Sequence, residues 1–600
     1  MMLEVLLVGK RTTRPAVAVL AALAFTWPQT GTPAAAAPGG PAQKSHASST
    51  SPPPQRAAQA PGELLKNPGF EGDHTGTAPG WRVNAWGTPA PGARLTPEDG
   101  QAHGGRRAQR FQVDTAPERV HLTQGHRFTG GRTYRASIWV RAASPVTVTL
   151  QVRSDDSAKD FYQAFAVHTT EVGTRWQRIE ATGTAPHDMS GSFRVFLGGP
   201  GTVTVDDASL TEVSPAGDSG LKPSGGPVPA DYFGMHLLCR GCYGDSWPSI
   251  GFGLWRMWDN GVRWRDLEPR RGEWNFTMMD YFMKSAADNR VSVLYTLGVP
   301  PLWAASNREK GAYGPGSAAM PASLADWRRY VRTVATRYKG RIQLYEMWNE
   351  PDYHKFWNGT PAQLAELTRA AAEEIRRADP AAKIVSPGIT INGLNWLDRY
   401  LAAGAGEHLD VVGAHVYFGL RPESVASRVR NVKGIMKAHG LGNLPLRVTE
   451  GAPLGTASTP GPAVGTTSRA LALFWAYGAS GFDWYTWDRH GDRVIELSGE
   501  DRRTPTAAGR AYARTVTWLR GARMTGHTVD GAGTHVITLT RPGGYTARMI
   551  WNERGVATVA VPGDWRVDRW SDLTGQPRDA SPRKINVDGR PILLESGPRQ

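Results

Sequence analysis

Between residues 232 and 523, short apolar runs alternate with segments of helical period, and this alternation constrains the fold more than any other feature of the chain. The runs fall at 232–236, 254–258, 291–297, 342–350, 383–386, 409–417, 446–450 and 482–487. Between two of them, Ser323 stands three residues before Asp326. Leu324, Trp327, Val331, Val334 and Tyr338 then recur near helical spacing until Gly340, which predicts a capped helix. Thr360-Pro361 opens a second, with Leu364, Leu367, Ala371 and Ile375 on one stripe before Asp379-Pro380. Eight strand–helix units over this length predict a (β/α)₈ barrel. A doubly wound open sheet is the alternative, but no Gly-rich phosphate loop follows any strand.

The flanks read differently. Lys10, Arg11 and Arg14, an apolar stretch at 16–27 and an A-x-A site within 34–37 make residues 1–37 a secretory signal peptide, so the protein is predicted to be secreted. That stretch is too short to span a bilayer, and no later segment reaches the ~20 apolar residues a span needs. Residues 38–60, rich in Pro, Ala, Ser and Gln, read as a disordered spacer. Residues 61–215 show short alternating strands punctuated by Gly, Pro and Asp (134–141, 146–152, 193–197, 203–210), the pattern of a β-sandwich. Residues 216–229 form a linker by composition. Beyond 523 the helical period vanishes. Runs at 536–539, 547–551, 556–561, 565–570 and 592–594 predict a C-terminal antiparallel β-sandwich over 524–600.

The net charge of +15 comes from arginines dispersed along the chain, without a basic helix or zinc-finger spacing, which argues against a nucleic-acid partner. A basic surface suits an acidic polysaccharide, but charge alone does not select one. The two cysteines, Cys239 and Cys242, are spaced C-x-x-C; in an exported protein they predict a local disulfide. Nothing in the sequence fixes an oligomeric state.

Two runs end in acids. The run 342–350 closes with Asn349, Glu350 and Pro351, and proline cannot donate to a sheet ladder. This predicts a carboxyl at the barrel mouth, walled by tryptophans and raised in pKa. The seventh run delivers Glu450 in the same way. Two acids at one mouth are what glycoside hydrolysis requires, one protonated and one ionised. Arg256 could hold Glu450 ionised and a tyrosine could donate to it. Trp303, His415, Tyr417 and Trp487 fall at other strand ends. Glu346 shares strand parity with Glu350 but lies deeper, as an interior ion-pair partner.

Residues 230–523 resemble a retaining glycoside hydrolase of clan A, nearest to family 39, through Trp274-Asn-Phe276, Tyr295-Thr-Leu-Gly298, Pro301-Leu-Trp-Ala304, Tyr345-Glu-Met-Trp-Asn-Glu-Pro351, His415-Val-Tyr417 and Thr449-Glu450. The resemblance implies Glu350 as general acid/base and Glu450 as nucleophile, with no catalytic cofactor. It also implies that Asn349 binds the sugar 2-hydroxyl, that Tyr417 orients Glu450 and that Trp487 floors the reacting-sugar subsite. Glu450-Gly-Ala-Pro453 gives no subfamily signal. Leu65-Lys-Asn-Pro-Gly-Phe-Glu71, residues 134–141, Trp176 and Val203-Thr-Val-Asp206-Asp207 resemble carbohydrate-binding modules of the families 4, 9 and 22 type. This implies a jelly roll, often with a structural calcium, and Glu71 and Asp206 match its acidic positions; metal-free turns account for them equally well. Trp86 and Tyr162 are the candidate sugar-binding rings of the module, and Trp81 and Trp176 its expected core. The predicted function is hydrolysis of a polysaccharide. An inactive carbohydrate-binding barrel is the alternative class, and a transglycosylase would use the same residues.

Overall fold

The eight barrel strands are β1 (Phe233–His236), β2 (Leu254–Met257), β3 (Ser292–Thr296), β4 (Leu344–Glu346), β5 (Lys383–Val385), β6 (Val412–His415), β7 (Leu446–Gly451) and β8 (Ala479–Trp484). They come from a computed structural model that describes residues 62–85, 92–115, 120–130, 132–155, 164–185, 188–213, 221–238, 247–390, 393–454, 460–488, 494–575, 577–579 and 581–598. The readings made at 1–37, 38–60, Trp86, Tyr162, Cys239 and Cys242 lie outside the described residues.

All eight strands are parallel, in the order β5-β4-β3-β2-β1-β8-β7-β6. Parallel bridges Val385–Val411 and Ile389–Ala414 join β5 to the β6 side, so the sheet closes on itself. Strands buried on both faces explain the continuous apolar runs of the sequence. The helix Leu324–Arg337 starts on Ser323, whose hydroxyl accepts from Asp326 N–H. Pro361–Ala378 starts on a reciprocal capping box between Thr360 and Gln363.

The predicted fourth strand stops four residues early. Trp348 (φ 90°) and Glu350 (φ 45°) take left-handed backbone, so Asn349 and Glu350 stand in the turn beyond β4 and not on the strand. Non-glycine residues rarely adopt this conformation, and it costs of order 1–3 kcal/mol where the surroundings enforce it. It aims the Glu350 side chain. Trp487 likewise lies beyond the end of β8.

Residues 62–213 form two five-stranded antiparallel sheets around one core that includes Phe70, Trp81, Phe111, Phe128 and Phe193. Trp81 is core as predicted, stacked on Phe70 at 4.6 Å. Trp176 is not. It precedes the strand Gln177–Thr184, where alternation does not force the ring inward, and it lies half-buried under the Arg141 guanidinium. Strands Ala164–Val172 and Gln177–Thr184 touch the barrel helices Leu394–Ala402 and Val425–Ala438.

The C-terminal region has a six-stranded and a two-stranded antiparallel sheet. Its first strand, Arg523–Val529, is too polar for its pattern to show in sequence. The strand expected at 565–570 is a 3-10 turn, Gly563–Trp565, then a short strand, Arg569–Ser571. Arg566, at φ 48°, breaks the extension.

Candidate active site

Arg256 on β2 organises the barrel mouth. Its side chain is fully buried and its fork is fully used. Nε donates to Glu346 Oε2 at 2.8 Å, one terminal nitrogen to Glu450 Oε2 at 2.9 Å and the other to Asn349 Oδ1 at 2.8 Å. Glu346 also accepts from Thr296 Oγ1 at 2.7 Å. It is therefore the interior ion-pair partner that its depth on the strand suggested. Asn349, with Oδ1 held by Arg256, keeps its Nδ2 amide as a donor.

The two acids differ in their partners. Glu450 Oε1 accepts from Tyr417 Oη at 2.7 Å and Oε2 from Arg256. Glu350 Oε1 lies 2.9 Å from His415 Nδ1, an imidazole whose pKa burial lowers. Burial, with the nearby Asp352 charge adding to it, pushes the Glu350 carboxyl up to about 8. Burial also raises Glu450, but His415, Arg256 and the Tyr417 hydroxyl pull it back. One carboxyl is thus kept as an acid and its neighbour is steadied as an anion.

Close packing holds this pair in place. The backbone N–H of Glu350 donates to the Gly388 carbonyl at 2.9 Å, and Asn349 bridges to Gly388. A Cβ at Gly388 would lie 2.1 Å from His415 Nε2, so only glycine allows both contacts. One carboxylate oxygen each from Glu350 and Glu450, together with a ring nitrogen of His415, lie within 4.8 Å of one another. A cation among them would share Glu450 with the Arg256 guanidinium, an unfavourable neighbour.

The structure therefore brings together Arg256, Asn349, Glu350, His415, Tyr417 and Glu450. Trp487 is buried, with its backbone N–H on the His236 carbonyl and Nε1 on the Arg502 carbonyl. Trp303 makes its contacts elsewhere, with the Glu268 carbonyl, the Trp264 edge and the Arg271 and Arg329 guanidinium groups. Glu71 and Asp206 converge on the 103–107 loop. Glu71 Oε1 accepts from the N–H groups of Arg106 and Arg107, and Asp206 accepts from His103, Gly104 and Asp207.

Sequence reasoning missed a second ring of groups. Tyr485, after β8, lies edge-on to His236 at 5.1 Å and to Tyr417 at 6.3 Å, and donates to Asp259 Oδ2 at 3.4 Å. Tyr313, from a loop hairpin, donates to Asp259 Oδ1 at 2.5 Å. The Asp259 charge contributes to raising Glu350. Only the position of Asp259 just past β2 could have signalled it.

Residues 249–451 match the family model for Glycosyl hydrolases family 39, and residues 62–207 match a model described as a carbohydrate binding domain. The beta-xylosidase of Geobacillus stearothermophilus is 22% identical over 204 residues, covering 30% of this chain and 40% of that protein. The alpha-L-iduronidase of Homo sapiens is 32% identical over 112 residues, covering 15% of this chain and 17% of that protein. The matches thus span less than half the length of these relatives. A family 39 glycoside hydrolase from Bacteroides cellulosilyticus WH2 superposes with a TM-score of 0.49 at 16% identity, covering 75% of this chain and 94% of that one. A GH39 beta-xylosidase from Caulobacter crescentus gives 0.47 at 18% identity, covering 63% and 98%. The chain thus carries a match to glycosyl hydrolase family 39 at residues 249–451 and a match to a carbohydrate binding domain at residues 62–207.

Proposed function

We propose that this protein hydrolyses O-glycosidic bonds of a polysaccharide with retention of configuration, Glu450 acting as nucleophile and Glu350 as general acid/base. The observation that carries this reading is the asymmetry of two carboxyls in one short gap. Their oxygens approach within 4.8 Å. Retaining enzymes hold their carboxyl groups ~5–5.5 Å apart, and inverting enzymes leave ~6.5–9.5 Å for a water.

In the first step Glu450 attacks the anomeric carbon while Glu350 gives its proton to the departing oxygen. The glycosidic bond breaks as the Glu450 ester forms. Glu350, now ionised, deprotonates a water that attacks the same carbon, and Glu450 leaves as the carboxylate. Asn349 Nδ2 donates to the sugar 2-hydroxyl, and Trp487 floors the reacting-sugar subsite. The test is cleavage across polysaccharides and aryl glycosides, with xylosides and uronides first because the relatives are named for them. Activity lost in both E350Q and E450Q supports the reading, and full activity in E450Q overturns the nucleophile.

Two smaller outcomes follow. Y417F removes the 2.7 Å hydrogen bond to Glu450. Bonds to charged groups contribute about 1.5–3 kcal/mol, so kcat is expected to fall about 10- to 100-fold with the fold unchanged by circular dichroism. The pH profile should be bell-shaped. Activity rises as Glu450 ionises and is lost as Glu350, its carboxyl at about 8, gives up its proton.

The same group sets a stability slope. From its ordinary 4.5 up to about 8, native Glu350 keeps a proton that the unfolded chain has released. Stability therefore falls as pH rises through that window. E350Q should flatten this slope in denaturant melts at pH 5 and pH 8; an unchanged slope would place the Glu350 carboxyl in its ordinary range.

A calcium ion at Glu71 and Asp206 is a separate proposal, resting on the module resemblance. The ion would have to displace the N–H groups that now meet both acids. A melting midpoint raised by Ca²⁺ and lowered by EDTA would support it, and no change would leave the acids as braces of the 103–107 loop. The leader reading of residues 1–37 places the protein outside the cell. Among the described residues, no helix is long and apolar enough to cross a membrane. N-terminal sequencing of protein recovered from the medium tests this, with a start near residue 38 expected.

A further inference from the structure

Apart from the Glu350, His415 and Glu450 cluster, the loop after β6 and the C-terminal sheet bring three ligating side chains together. Glu423 lies in the 3-10 turn Pro422–Ser424, His535 on the strand Thr534–Arg541, and Glu553 just after the strand Tyr545–Asn552. One ligand atom of each lies within 4.8 Å of the others, and His535 Nε2 stands 3.5 Å from Glu553 Oε2. Zinc bonds of ~2.1 Å in a tetrahedron set neighbouring ligand atoms roughly 3.4 Å apart.

Two buried ligand atoms of this cluster are unused. Glu423 Oε1 is spent, accepting from Arg469 at 2.7 Å and from Trp551 Nε1 at 3.0 Å. Among the described residues, Glu423 Oε2 and His535 Nε2 have no hydrogen-bond partner, although the two residues are only 8% and 3% exposed. Buried polar atoms are paired in the great majority of cases, so two unpaired ones facing a third ligand point to a missing partner.

The surroundings orient the imidazole as a metal site would. His527 Nε2 lies 3.0 Å from His535 Nδ1, and Trp551 stacks on the His535 ring at 4.6 Å. His535 Nδ1 is thereby engaged by His527, which leaves Nε2 on the side of the Glu553 carboxylate, 3.5 Å away. A cation between them would take a lone pair from each of the three groups, with the contact to His527 orienting the ring. Two carboxylates against the single buried guanidinium of Arg469 leave negative charge for it; Arg554, 3.8 Å from Glu553 Oε1, lies at the outer edge.

We propose that Glu423, His535 and Glu553 bind one divalent cation of the zinc class, with water in the fourth position. One nitrogen and two carboxylates suit zinc better than calcium or magnesium, which favour all-oxygen shells of higher coordination number. The ion would clamp the loop that follows His415 and Tyr417 to the C-terminal sheet.

The test uses full-length E350Q protein, because that change weakens the competing trio of Glu350, His415 and Glu450. Chelator-stripped protein is titrated with Zn²⁺ by calorimetry and with Co²⁺ by visible absorption. One metal equivalent and the bands of four-coordinate cobalt are expected in E350Q, and both should vanish when H535Q or E553Q is added. Zn²⁺ should raise the melting midpoint of E350Q and of neither double variant. Glu553 sits at the outer edge of the cluster, so E553Q carries the test if H535Q does not fold. Equal stoichiometry and equal cobalt spectra in E350Q and in E350Q/E553Q, or no metal bound by E350Q, would overturn the proposal.

Discussion

Replacing Glu450 by Gln is expected to lower turnover on the order of 10⁵-fold on every substrate the protein cleaves, the scale seen when a covalent nucleophile is removed. The amide is close in size, its oxygen can still accept from Arg256 and its NH2 can donate to the Tyr417 hydroxyl oxygen, so folding should survive. It cannot form the glycosyl ester. E350Q should behave differently. A general acid supplies about 10²–10⁴-fold, and only where the leaving oxygen needs a proton. Polysaccharide cleavage should therefore collapse in E350Q while formation of the glycosyl-enzyme from a nitrophenyl glycoside stays near wild type. The pre-steady-state burst and kcat/KM, which read formation of the glycosyl-enzyme, separate the two roles on the two substrate types. Equal losses of kcat/KM on both substrates in E350Q would remove Glu350 from the acid role.

Replacing Arg256 by Met should damage both the fold and the chemistry. The guanidinium is fully buried and contacts Glu346, Glu450 and Asn349. Removing it leaves two carboxylates in the barrel interior, with Glu346 keeping only Thr296 among these contacts. Stripping one partner from a buried ion pair costs about 3–5 kcal/mol, which denaturant melts would read directly. Arg256 is also one of the groups that hold the Glu450 pKa down. Without it the nucleophile ionises at higher pH, so the acid limb of the rate profile should move upward. Lysine at this position keeps the charge but not the three-way fork, and should recover stability better than activity.

Much of this was legible in the sequence for a physical reason. Strands buried on both faces must be continuously apolar, and an acid that ends such a strand has only the barrel mouth to occupy. Arg256, Glu346 and Glu450 could therefore be placed from strand position alone. The left-handed turn at Trp348 and Glu350 could not, because neither residue type favours it and only the packed surroundings impose it. Asp259, Tyr313 and Tyr485 reach the mouth from loops, where no periodicity reports direction. Trp303 shows a different limit. Its place near a strand end suggested the cleft, but its ring packs on Trp264 and Arg329. In the N-terminal module, the strand Ala93–Asp99 contains a proline and two acids, so alternation could not reveal it. Glu423, His535 and Glu553 come from different domains, and only the fold brings them together.

The most direct test of the central claim is the anomeric configuration of the first-formed product, followed by proton NMR on a substrate the wild-type protein cleaves. The account predicts that the product appears with the configuration of the substrate and mutarotates only afterwards. A first-formed product of inverted configuration would contradict the double displacement and the assignment of Glu450 as nucleophile.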